Sequence, residues 1–182
     1  MPATPHDLFA FLDSLGIAHT TVTHPPLFTV EQSQALRGTI PGGHTKNLFL
    51  KDKKDNVFLV VAPEDARVDL KTLHHRLGAS RFSFGSAALL EELLGVTPGA
   101  VTAFGAINDK AARVTVVLDA GLMEHRIVNC HPLVNTMTTS IGRDDLVKFL
   151  AATGHRPRIE RIADDPGSAD AGPADRLHSD AP

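Results

Sequence analysis

Two apolar runs, Asn47 to Lys51 and Val57 to Ala62, flank a charged turn around Lys53 to Asn56, and no other feature constrains the chain as much. Apolar and β-branched runs of strand length on either side of a short polar turn define a β-hairpin. The rest of the chain must supply partners for it. Thr4-Pro5 followed by Asp7 starts a helix with proline at its first position, and Leu8, Phe11, Leu12 and Leu15 recur at helical spacing before Gly16. The spacing predicts a helix over 5–15. Ile17 to Thr23 is rich in β-branched residues and reads as a strand, ended by His24-Pro25-Pro26. Thr29 and Gln32 form a capping-box pattern for a short helix that stops near Gly38, with a Gly-Pro turn over 38–43.

Further along, Asp69 caps a helix to Leu77 and Gly78 closes it. A short strand over Arg81 to Phe84 precedes a leucine-rich helix from Ser86 to Leu94. Val114 to Leu118 is the clearest single strand, Ile127 to Asn129 and Thr136 to Thr139 are shorter ones, and Asp144 to Thr153 is an amphipathic helix. Strands do not alternate strictly with long helices. The fold class is therefore α+β, a mixed sheet flanked by helices, in preference to a doubly wound parallel sheet.

A chain of 182 residues fits one domain with one real core. That domain is expected over 1–156. From Pro157 the composition turns to Asp, Ala, Pro, Gly and Ser, with six acids against three arginines, so 157–182 reads as a disordered acidic tail. The tail carries the whole formal net charge of −3, because 15 residues of each sign remain in the body. A neutral body disfavours a sequence-blind polyanion binder, although Lys46, Lys51, Lys53 and Lys54 form a local basic group. No apolar stretch approaches the ~18 residues needed to span a bilayer, and no leader pattern opens the chain. The expected compartment is the cytoplasm.

Common site signatures are missing: no GxSxG, no P-loop, no GxGxxG after a strand and no HExxH. Ten histidines invite a metal, but they lack regular ligand spacing, and a single cysteine cannot build a cysteine cage. No metal or cofactor is expected. Cys130 precedes His131, yet neighbours on a strand point to opposite faces, so Cys130 reads as a small buried hydrophobe rather than a nucleophile.

Three segments occur in order: His44-Thr45-Lys46-Asn47-Leu48-Phe49, Gly95 to Asp109, and His131-Pro132-Leu133-Val134-Asn135-Thr136. Together they resemble the YbaK and prolyl-tRNA synthetase-associated editing family, and most closely its free-standing branch that deacylates alanyl-tRNA(Pro). The likeness covers roughly residues 5 to 155. It implies a mixed sheet wrapped by helices, in line with the reading above. By residue type alone Lys46 is an ordinary solvated lysine at a strand start, whereas the resemblance makes it the catalytic residue that holds the terminal ribose and phosphate of a charged tRNA. The family's glycine-rich GxxxP loop aligns with Gly99 to Gly105, with Ala103 in place of the proline. Gly99, Ala103 and Gly105 are thereby implied in substrate binding through close backbone approach. His131 is implied as a pocket residue, with a base role left open.

The implied reaction is hydrolysis of alanine from tRNA(Pro) in trans, without a cofactor. A synthetase pocket that admits proline cannot exclude alanine, since one methylene is worth only about 1–3 kcal/mol, so a smaller second sieve is needed. Water attack assisted by the neighbouring ribose hydroxyl, with backbone groups near Gly99 steadying charge, fits the missing nucleophile. Removal of cysteine from cysteinyl-tRNA(Pro) and a non-catalytic aminoacyl-tRNA-binding module remain as alternatives. The implied partners are tRNA(Pro) carrying alanine and, transiently, prolyl-tRNA synthetase or an elongation factor, with no membrane.

Overall fold

A computed structural model describes residues 1–26 and 30–163. Its elements run α1 (Pro5–Ser14), β1 (His19–Thr23), α2 (Val30–Arg37), β2 (Gly43–Lys51), β3 (Val57–Pro63), α3 (Leu70–Leu77), β4 (Ser83–Phe84), α4 (Ala87–Leu94), β5 (Val114–Asp119), β6 (Ile127–Cys130), β7 (Met137–Gly142), α5 (Arg143–Ala152) and β8 (Arg158–Glu160). Short 3₁₀ turns at Pro98–Ala100 and Ala103–Asn108 lead into β5.

The predicted hairpin is β2 with β3, in register from Thr45 opposite Pro63 to Lys51 opposite Val57. Its turn is held by buried Asp52, whose carboxylate accepts from the amides of Lys54 and Asn56 at 2.9 Å each and from Ser80 at 3.2 Å. β3 is apolar on both faces because both are covered. Val57, Leu59 and Val61 enter a large core with Leu8 and Leu12 of α1, Leu90 and Leu94 of α4, and Phe149 of α5. Phe58, Val60 and Ala62 enter a smaller one against Leu73 and Leu77 of α3. At about 1.5–3 kcal/mol per buried aliphatic side chain, this central strand contributes heavily to stability.

The sheet order is β1-β7-β6-β2-β3-β5-β8, with β4 also on β2. β2–β6, β3–β5 and β5–β8 are parallel and the other pairs antiparallel, so the sheet is mixed and helices cover both faces. One edge of β2 is divided between two partners. Its start pairs with β6 (Gly43 with Val128, His44 with Asn129) and its end with β4 (Leu50 with Phe84, Lys51 with Ser83).

α1 begins at the expected cap, where Thr4 and Asp7 exchange hydrogen bonds of 2.9 and 3.1 Å. Two boundaries differ from the sequence reading. β2 starts at Gly43, so Lys46 lies inside the strand and not at its start. The ordered body also continues past residue 156: β8 pairs with β5, and Asp119 accepts from the amides of Ile162 and Ala163 at 2.9 and 3.1 Å. A buried carboxylate on β5 thus fixes a segment whose own composition promised no structure. Thr29 and residues 164–182, where the capping box and most of the acidic tail were expected, lie outside the described residues. Among the described residues no helix is long and apolar enough to cross a membrane.

Candidate functional site

The site forms where β6 leaves β2. Gly42 makes the approach possible: its φ is +108°, and a Cβ there would lie 2.7 Å from the Ile127 carbonyl oxygen. Asn129 then staples the turn before β2, donating from Nδ2 to the carbonyls of Pro41 at 3.1 Å and Gly43 at 3.3 Å, while Oδ1 accepts from Ser140. Past His44 the two strands part. Thr45 Oγ1 bridges the gap by donating to the Asn129 carbonyl at 2.8 Å. The space beyond is a cavity of about 110 Å³ lined by Leu36, His44, Thr45, Glu64, Asn129, Cys130, His131 and Thr138.

His131 is on this wall. Its Nδ1 lies 3.1 Å from the Met137 carbonyl, which can only accept, so the hydrogen sits on Nδ1 and Nε2 keeps the lone pair. Burial pushes its pKa below the ordinary histidine value, with His24 acting the same way and Met137 and Glu64 opposing. The ring is therefore neutral near pH 7 and can accept a hydrogen bond. Leu133, two residues on, holds φ at +72° while buried in the core, a strained conformation of a kind that clusters at binding sites.

Cys130 belongs to the large core, and burial raises its thiol to about 12 despite the opposing Thr45 hydroxyl at 3.9 Å. A thiol held protonated is a poor nucleophile. It borders the cavity as a wall.

Lys46 is one residue beyond Thr45 but does not line the cavity. Its ammonium donates to the Ala66 carbonyl in the turn after β3. Burial lowers its pKa, with Asp65 opposing. Next to it the carboxamide oxygen of Asn47 is buried with no hydrogen-bond partner among the described residues.

The glycine segment divides. Gly99 is exposed and abuts the 131–136 loop, since a Cβ there would sit 3.3 Å from Asn135 Nδ2. Ala103 and Gly105 are not at a surface. Ala103 is fully enclosed in the core, and Gly105 is where the 3₁₀ turn meets α4, with Leu94 Cβ 2.9 Å from where a Cβ would stand. The close approach that glycine permits here is to a helix and not to a ligand, which corrects the expectation that these two residues contact substrate.

Sequence reasoning missed Glu64, Asn129 and Thr138. A polar asparagine between the buried Val128 and Cys130 of β6 was the available signal for one of them. Glu64 and Thr138 reach the cavity only through long-range pairing.

The aminoacyl-tRNA editing domain family matches residues 24–149. The prolyl-tRNA editing protein ProX of Acetoanaerobium sticklandii is 38% identical over 149 residues, covering 81% of this chain and 91% of that one. Prolyl-tRNA synthetase associated domain-containing protein 1 of Danio rerio is 41% identical over 155 residues, 84% of each chain. A crystal structure provisionally described as a trans-editing enzyme for prolyl tRNA synthetase shares the fold, with a TM-score of 0.68 and 16% identity, over 91% of this chain and all of that one. The chain belongs to the aminoacyl-tRNA editing domain family. By class it is an aminoacyl-tRNA deacylase.

Proposed function

We propose that this chain acts in the cytoplasm as a free-standing editing enzyme that hydrolyses alanine from mischarged tRNA(Pro). The observation that carries the reading is the cavity. At about 110 Å³ it is well under the ~300–1,000 Å³ usual for small-molecule sites, a size suited to a small aminoacyl group and not to a whole nucleoside. Relatives that share its length are described as prolyl-tRNA editing or prolyl-tRNA synthetase-associated proteins, which supports tRNA(Pro) as the carrier. Prolyl-tRNA synthetase or an elongation factor would meet the enzyme only in passing.

In this reading the aminoacyl end enters beside His131, and Lys46 exchanges its Ala66 partner for the terminal nucleotide. Water attacks the ester carbonyl, assisted by the neighbouring ribose hydroxyl. A carbon–oxygen bond to water forms, the bond to the ribose oxygen breaks, and the proton from water passes to that oxygen. Gly99, exposed beside Asn135 of the 131–136 loop, would offer backbone groups to the developing charge. An activated ester demands positioning more than a protein nucleophile, and the protonated Cys130 supplies none.

Deacylation of alanyl-, cysteinyl- and prolyl-tRNA(Pro) by the purified chain tests this. Alanine should leave much faster than proline. A clear preference for cysteine would replace the reading with its alternative, and binding without turnover would make the chain a non-catalytic module.

A further inference from the structure

Thr138 lines the cavity opposite the β2 wall, and among the described residues its hydroxyl has one hydrogen-bond partner, His24 Nε2 at 2.8 Å. The other ring nitrogen of His24 fixes what that bond means. Nδ1 lies 2.8 Å from the Pro25 carbonyl oxygen, which has no hydrogen to give, so Nδ1 carries the hydrogen. In the neutral ring Nε2 is then a lone pair, and the Thr138 hydroxyl must donate to it. A hydroxyl whose hydrogen is committed outward turns its own lone pairs the other way. Thr138 thus faces the cavity as an acceptor, and its orientation is imposed from outside the wall.

His24 is itself held in place, because its backbone amide donates to the Thr136 carbonyl at 2.9 Å, where the chain leaves the 131–136 loop for β7. On the same wall, just past the end of β6 beside β7, His131 presents a second lone pair at Nε2 by the same logic, its Nδ1 hydrogen being spent on Met137. A small cavity that presents acceptors suits a ligand rich in donors. The part of an aminoacyl ester that fits this is its α-ammonium, with three N–H donors and a positive charge.

We infer that Thr138 is a substrate-binding residue for the α-ammonium of the aminoacyl ester, and that His24 is the positioning residue that keeps its hydroxyl an acceptor. The inference rests on the deacylase reading above and deepens it. It makes the site a reader of the amino group as well as of side-chain size.

The test compares alanyl-tRNA(Pro) with lactyl-tRNA(Pro), in which a hydroxyl replaces the ammonium and the methyl group is unchanged. The native enzyme should prefer the alanyl ester by at least about tenfold in kcat/KM. Thr138→Val, close in shape but without the hydroxyl, should lose most of that preference, through a raised KM for the alanyl ester and little change with the lactyl one. His24→Leu should do the same, and His24→Gln, whose amide oxygen can accept from Thr138, should restore it. A purely structural role would lower both substrates together and would not be rescued by Gln. Unchanged discrimination in a Thr138→Val protein of native melting temperature would overturn the inference. If the native enzyme ignores alanine but cleaves another aminoacyl ester, the proposed substrate fails, and the same comparison with that amino acid's hydroxy analogue still decides the role of Thr138.

Discussion

His155 Nε2 lies 2.8 Å from Asp109 Oδ2, with only 2% of each side chain exposed, and the two residues are 46 positions apart. Asp109 also accepts from the amides of Arg113 and Val114 at 3.1 and 2.8 Å, and His155 Nδ1 meets the Thr153 hydroxyl at 2.9 Å. The pair therefore ties the end of α5 to the turn that launches β5.

Removing one partner leaves a buried polar group without its bond. His155→Ala should destabilise the fold by about 3 kcal/mol, read as a fall in melting temperature of roughly 10 °C. Kinetic constants of the fraction that remains folded should stay near native, which checks that the pair serves the scaffold.

Lys46→Ala and His131→Ala should fail in different ways. Loss of the Lys46 ammonium should cut kcat/KM for alanyl-tRNA(Pro) by at least about tenfold, or roughly 1.4 kcal/mol, with no comparable loss of thermal stability. His131→Ala enlarges the wall and should raise relative activity on larger amino acids while retaining more alanine turnover. Because burial holds His131 neutral below the ordinary histidine value, the acid limb it causes in a kcat/KM profile should lie below about pH 6.5, and it should vanish in His131→Gln.

Gly105→Ala sets a methyl group 2.9 Å from Leu94 Cβ and 3.2 Å from the Leu94 carbonyl, at the contact of the 3₁₀ turn with α4. Overpacking of this kind should cost about 1–3 kcal/mol in chemical denaturation. A change in substrate choice without a change in stability would return Gly105 to the binding site.

Cys130→Ser should keep most turnover, because the thiol is held protonated up to about 12 and takes no part in the chemistry. Its cost should appear as a modest loss of stability from a buried hydroxyl. Abolished turnover in a folded variant would sink this assignment.

Asp52 ties the β2–β3 turn to residue 80. Burial alone would raise its pKa, but bonds from Asn56, Ser80 and Lys54 outweigh it and leave the carboxyl below its ordinary value. A depressed carboxyl contributes stability that is present above the unfolded pKa, ~3.9, and is lost as pH falls through the folded value. The gap in stability between native protein and Asp52→Asn should therefore be widest near neutrality and narrow below about pH 4.

The sequence announces what is local. The Thr4–Asp7 box, the Asp69 cap and the hairpin turn are each settled within a few residues, and the structure has them all. β8 was illegible for the opposite reason. Its three residues include the half-exposed Ile159 and form a strand only because β5 offers an edge. The start of β2 hides behind Gly42-Gly43, which read as a turn until β6 is brought alongside from 85 positions away. Lys46 and His131 were singled out only through resemblance, while Gly105 misled because a glycine shows that something comes close without saying what. His24 looked like a strand terminator before two prolines, and its hold on Thr138 spans 114 positions.

The divided edge of β2 separates two hereditary tasks. The residues that make the sheet stable lie on β3 and β5, whereas the cavity opens where β2 is between partners and is walled by the tip of β6, the 131–136 loop and the first turn of β7. Part of that wall, Leu36, Glu64 and His131, lies outside the strand pairing, so substitutions at those positions alter a gap rather than a ladder and let the sieve drift toward another amino acid while the core is left intact. Enzymes with new tastes can thus descend from this architecture by small steps, none of which has to pass through an unfolded ancestor.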